Sequence, residues 1–190
     1  MAAPVRITEA AIREAALRLV REQGPQALNA RALAAALGCS TQPIFKNFPS
    51  MEALRRAVVE DALAAYHRFV EAAVTVSLFP PYKARGLAYI GFARAEPALF
   101  RLLFMRSRTG ETESPEDPDW TADSARAGSS AGLAGQDAEL FHLEMWALVH
   151  GIAVMQATGY LNLEEATVSQ MLTDAFRGIK ASWEENHECH

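Results

Sequence analysis

Apolar residues recur three and four positions apart through most of this chain, which is the period of a helix. The first such stretch follows Thr8, a cap residue, and carries Ile12, Ala16, Leu19 and Val20 up to a Gly24-Pro25 stop. Asn29 caps a short second helix with Leu33 and Leu37 one turn apart, and Gly38 ends it. Ser40 is expected to cap a third helix two residues later, with Ile44 and Phe48 pointing inward and Thr41, Gln42 and Lys46 outward. Pro43 is tolerated because its missing donor falls in the first turn. So short a turn forces the two helices to cross steeply, the geometry of a helix-turn-helix.

A long helix from Ser50 to about Val76 is predicted next, with Leu54, Val58, Ala62, Ala65 and Phe69 as its stripe. Phe79-Pro80-Pro81 breaks the chain before a helix from about Tyr82 to Ala95. Glu96-Pro97 opens another to about Arg106, apolar nearly all round and therefore buried on several sides or lining a cavity. Thr109 to Gly135 is rich in Gly, Ser, Pro, Asp and Glu; it reads as a long exposed loop, with a short helical piece near Trp120 to Ala127, and a lid is the competing reading. Two long helices close the chain, over roughly Gln136 to Thr158 (Leu140, Leu143, Ala147, Val154, Met155) and Leu163 to Glu184 (Val168, Met171, Leu172, Ala175, Phe176, Ile179). The fold class is all-α, with about nine helices. A three-helix DNA-binding head, residues 1–50, precedes a helical effector-binding and dimerisation body, residues 51–190.

Composition sharpens this division. The 190 residues carry a net charge of −5, yet residues 1–56 sum to +4 and the remainder to −9. A basic head on an acidic body confines the attraction for phosphate to one end. No uninterrupted apolar run reaches membrane-spanning length and no signal-peptide pattern opens the chain, so a cytoplasmic protein without a membrane partner is expected. Cys39 and Cys189 form no metal or redox spacing, and Cys39 reads as a small buried residue. Neither a phosphate-binding glycine loop nor a nucleophile–base motif is found, so no enzyme, cofactor or metal is expected. The tail His187-Glu188-Cys189-His190 has ligand-type residues but nothing to close them into a site, and Arg6 in the N-terminal arm is placed to reach phosphate or simply to stay solvated.

Ser40-Thr41-Gln42-Pro43-Ile44-Phe45-Lys46-Asn47-Phe48, followed by Pro49-Ser50-Met51-Glu52-Ala53-Leu54, resembles the DNA-binding segment of the TetR family of transcriptional regulators. It departs where Phe45 replaces the usual Tyr and Met51 the usual Lys, both of which contact phosphate in the family, so weaker non-specific DNA binding is expected. Trp146-Ala147-Leu148-Val149-His150-Gly151 resembles the Trp-x-x-x-His-Gly signature of one group of TetR-type C-terminal domains. Gly151 would there allow a neighbouring helix to approach closely. Two readings of the pair stand open. Trp146 and His150 line an effector pocket, or His150 hydrogen-bonds across the core while Trp146 packs at a dimer seam.

The resemblance implies a dimeric regulator, a repressor relieved by a small hydrophobic ligand, that holds a pseudo-palindromic operator in double-stranded DNA. The homodimer would form through the last two long helices as an intermolecular four-helix bundle. Thr41, Gln42 and Pro43 would face base edges. Lys46, Asn47, Asn29 and Arg31 would bind phosphates, with the helix start at Asn29 adding its amides, and Phe45 lies among them. Effector-pocket candidates are Phe69, Tyr89, Phe92, Phe100, Phe104, Met105, Trp146 and His150. Tilt of the Ser50 helix would couple the body to the head. A ligand-independent helix-turn-helix regulator and a helical small-molecule or lipid-binding protein are the alternatives; the second has no use for a basic, turn-capped head.

Overall fold

The computed structural model describes residues 7–105 and 120–188, and the described residues form nine α-helices and one 3-10 turn with no strand. The helices are α1 (Glu9–Gln23), α2 (Ala30–Ala36), α3 (Gln42–Asn47), α4 (Met51–Thr75), α5 (Pro81–Ala95), α6 (Pro97–Phe104), α7 (Trp120–Ala131), α8 (Gly135–Ala157) and α9 (Glu165–Glu188). The all-α expectation holds. Arg6, residues 109–119 of the expected loop, Cys189 and His190 lie outside the described residues, as do the side chains of His187 and Glu188.

Two compact units divide the chain, residues 1–68 with 96–106, and residues 69–95 with 107–190. In the first, Thr8 Oγ1 accepts from Ala11 N at 3.2 Å to start α1, whose inner face buries Ile12, Ala15, Ala16, Leu19 and Val20. Gly24 ends the helix at φ +85°, donating to Val20 O at 2.8 Å. Arg13 clamps α1 to α4: its guanidinium holds Asp61 through two 2.8 Å contacts and reaches Glu60 and the Ala57 carbonyl. Hydrogen bonding to Asp61 raises the Arg13 pKa further above its ordinary value. Arg21 meets Glu96, the residue before α6, at 3.0 Å, and α6 packs on α1. Compactness therefore groups α6 with the head helices, although it lies within 51–190. As expected, α6 is buried on several sides, through Ala98, Leu99, Phe100 and Leu103.

Ser50 Oγ accepts from Ala53 N at 3.1 Å and starts α4. Its buried stripe is Leu54, Val58, Ala62, Tyr66 and Val70, whereas Ala65 and Phe69, expected on it, are only half-buried. Each step of four turns the covered face by about 40°, so the buried stripe winds around α4 where an intervening step of three would have kept it straighter.

In the second unit α5 buries Ala84, Ala88, Tyr89, Ile90, Phe92 and Ala93. The expected helical piece near Trp120 to Ala127 is present, but the exposed loop around it is corrected here: Trp120–Ala131 is a three-turn helix with Ser124, Ala127, Gly128 and Ala131 buried. Its small residues were mistaken for loop composition, but they allow α7 to lie close against α8. Ala127, Ala131, Phe141 and Met145 form a core against which Tyr82, Phe176, Ile179 and Trp183 pack. α8 is long and apolar enough, by length and composition, to cross a membrane. It nevertheless carries Asp137, Glu139 and Glu144 and buries His142 and Phe141, which suits a core helix.

Candidate nucleic-acid interface and effector site

The turn between α2 and α3 is built by backbone rather than by side-chain caps. Gly38 sits at φ +65°, and its N–H donates to Ala35 O at 3.1 Å while Cys39 N donates to Ala34 O at 3.0 Å. Cys39 is half-buried. Ser40 does not cap α3, contrary to expectation; Thr41 occupies the cap position, without a side-chain hydrogen bond. The reason is Pro43. A cap serves the second or third amide of a helix; the second here is proline, and the third, Ile44 N, already donates to Thr41 O at 3.1 Å.

Ile44 and Phe48 are buried as expected, and they fix which way α3 faces. Gln42, Phe45 and Lys46 are exposed along one side, while Thr41, Pro43 and Asn47 are half-buried. Two of the asparagines are occupied within the chain. Asn47 Nδ2 donates to Pro43 O at 2.7 Å. Asn29 Oδ1 accepts from Arg31 N and Ala32 N at 3.1 and 3.0 Å, and its Nδ2 donates to Ala27 O. Those two amides are ones the sequence reading had offered to phosphate. Arg31 itself is exposed.

A second group of functional side chains lies in the second unit. Tyr89 Oη and His150 Nδ1 are 2.9 Å apart, and Trp146 stacks on the His150 ring with centroids at 4.7 Å and planes at 11°. Two turns earlier the pattern repeats: Tyr82 Oη lies 3.0 Å from His142 Nδ1, and Trp120 packs on His142 and on Trp146. Between the two tyrosines, Arg85 meets Asp123 at 2.6 Å, and Arg126 meets the same oxygen. Burial, then Asp123, pushes the Tyr82 phenol above its ordinary range, so it stays protonated. The Ser124 hydroxyl is buried there without a hydrogen-bond partner among the described residues.

The eight pocket candidates fall into separate groups. Tyr89, Trp146 and His150 belong to this cluster, and Phe69 meets Phe92 edge-on at 5.6 Å. Phe100 and Phe104 belong to the first unit, where Phe104 packs on Phe100 and Tyr66, and Met105 is exposed. Sequence reasoning missed Tyr82, Arg85, Trp120, Asp123 and His142. The available signal was the i, i+4, i+8 spacing of His142, Trp146 and His150, matched by the seven-residue spacing of Tyr82 and Tyr89.

Burial lowers the His150 pKa, so the native state holds a neutral imidazole. An unfolded histidine binds a proton near pH 6.5 and the native one only below that. The stability this supplies is complete above about pH 6.5 and is lost progressively as the pH falls through the lowered native value. Denaturation midpoints at pH 7.5 and 5.5 should therefore separate more in the wild type than in His150→Gln. Equal separations would show that His150 does not carry the difference.

Two family profiles match this chain: "Bacterial regulatory proteins, tetR family" over residues 12–58, and "Tetracyclin repressor-like, C-terminal domain" over residues 82–178. The second alone spans half the chain. The chain belongs to the TetR family. It is thus a transcriptional regulator with a DNA-binding helix-turn-helix, and α2 and α3 are that motif. An uncharacterised helix-turn-helix-type transcriptional regulator of Mycobacterium tuberculosis is 26% identical, covering 97% of this chain and 85% of its own length. Among solved structures, a TetR-like transcriptional regulator from Rhodococcus sp. RHA1 superposes with a TM-score of 0.69 at 19% identity, covering 94% of this chain and 98% of that one. The multidrug binding protein EbrR, complexed with imidazole, gives a TM-score of 0.57 at 17% identity over 91% and 93% of the two chains. At these identities the likeness to both structures is one of fold.

Proposed function

We propose that this TetR-family regulator is a cytoplasmic homodimeric repressor, released from its operator by a small, largely apolar ligand. Residues 1–50 would read DNA and residues 51–190 would bind effector and pair with a second copy. The observation that carries the reading is the coexistence of two surfaces on one chain: the outward face of α3 and the half-buried aromatic–histidine cluster on α5, α7 and α8. Gln42 would take an adenine edge through its amide, with Thr41 and Pro43 beside it; Lys46 and Arg31 would hold phosphates. Asn29 and Asn47 would act chiefly by setting the backbone, since their side chains are engaged.

Leu140 and Leu143 on α8 are exposed, and Ala147 and Gly151 continue the Leu140 side of the helix. Among the described residues, nothing outside its own helix backbone and chain neighbours lies within 4 Å of a Cβ placed on Gly151. An open apolar face with a glycine supports pairing with α8 and α9 of a second copy, and a two-fold would give a pseudo-palindromic site. The aromatic–histidine cluster combines apolar walls with polar anchors, as small-molecule sites do, and EbrR, which shares the fold, is a multidrug binding protein complexed with imidazole. A ligand favouring the form that fits DNA poorly must weaken operator binding by linkage.

The test uses the full chain and a duplex enriched by selection from random sequence. Tryptophan-fluorescence screening of small aromatic compounds identifies a binder, which should then release wild-type protein from the duplex. Trp146→Ala should hold the duplex as before and lose the release. Release undiminished in Trp146→Ala removes the cluster from the effector site, and a monomer at every concentration in sedimentation removes the dimer.

A further inference from the structure

We infer that Phe45 is a specificity-determining residue, which reads the 5-methyl group of a thymine in the major groove beside the base pair addressed by Gln42. The inference rests on the DNA-reading role of α3. Three side chains stand fully outward on α3, namely Gln42, Phe45 and Lys46, and the spacing of three and four places them on one face. Gln42 offers an amide and Lys46 a charge. Phe45 offers only an apolar ring, 48% exposed, beside them on that outward face.

The core of the head does not require that ring. The inner side of α3 is already closed by Ile44 and Phe48, at 0% and 5% exposure. Having no hydroxyl, Phe45 cannot donate to a phosphate, and a ring placed against phosphates would be left among charges. In the major groove the apolar feature available to it is the thymine methyl, which protrudes beside the hydrogen-bonding edges. A glutamine–adenine pair and an adjacent methyl contact would together specify an A·T-containing step. Phe45 thus gives back, as sequence preference, what the loss of a phosphate contact removes from general affinity.

Deoxyuridine scanning separates this from the other roles of a ring. Each thymine of the selected duplex is replaced singly by deoxyuridine, which removes the methyl and keeps base pairing. In the wild type at least one such replacement should weaken binding by roughly fourfold, the equivalent of one buried methyl group. Phe45→Ala should bind more weakly and lose sensitivity at that thymine alone, while Phe45→Leu should retain part of it. Circular dichroism and melting should show Phe45→Ala folded, because its side chain is half outside. A flat scan in the wild type overturns the inference, and would point to a wedge between base steps instead. A Phe45→Ala scan that superimposes on the wild-type scan overturns it as well. Failure to enrich any sequence sinks sequence-specific DNA reading itself, a different result from a flat scan on a tightly bound site.

Discussion

Gly128→Ala should lower folding stability by about 2 kcal/mol, the middle of the range for an overpacked core. A Cβ at that position would lie 2.6 Å from Leu133 O and 2.7 Å from Ala138 Cβ. Both are fixed atoms, a carbonyl and the first side-chain carbon, so no rotamer change relieves the clash. The segment cannot simply shift either. Gly132 N and Leu133 N both donate to the Gly128 carbonyl, at 2.8 and 2.9 Å, and bind the corner between α7 and α8 to this residue. Alanine gains at most about 1 kcal/mol of helix propensity over glycine, too little to offset the overlap. Gly91→Ala is the control: its Cβ would meet Phe69 at an ordinary 3.6 Å, so the substitution should be neutral or stabilising. Urea unfolding of the two variants decides it, and equal midpoints would mean that α7 and α8 part without cost.

Lys46→Ala and Gln42→Ala should both weaken operator binding, in different ways. Lys46 is an exposed charge one turn beyond Gln42, and its loss should weaken every duplex alike and reduce the slope of affinity against salt by about one contact. Gln42→Ala should cost roughly 1–3 kcal/mol at one base pair and leave the salt slope unchanged. Titrations against the selected duplex and single-base variants, at two salt concentrations, separate the two outcomes. Identical salt slopes and identical base profiles would mean that the roles are wrongly divided.

Much of the head was legible in the sequence because its signals are local. Thr8, Gly24, Asn29, Gly38 and Ser50 each act within four residues of themselves, and the helices begin and end at or beside them. Ser40 was misread for the opposite reason: its expected partner amide was removed by a proline two positions past the true cap. In the body, α7 was read as only a short helical piece in an exposed loop, because Ala, Gly and Ser signal a loop by composition yet permit close packing when another helix is at hand. The Tyr–His pairs depend on residues about sixty positions apart, which periodicity along one helix does not pair. The aromatic candidates were chosen by type alone. So Phe100 and Phe104 were pooled with Trp146, although they belong to the other compact unit.

An isolated helix of six residues, such as α3, does not persist in water, and this one lacks even a side-chain cap. It is held in place by Ile44 and Phe48, which are buried in the core, whereas Gln42, Phe45 and Lys46 are exposed. Folding and reading are thereby assigned to different atoms of the same short segment. On the proposed reading of DNA by this face, exchanges at positions 42, 45 and 46 would redirect the regulator to new genes at little cost to folding.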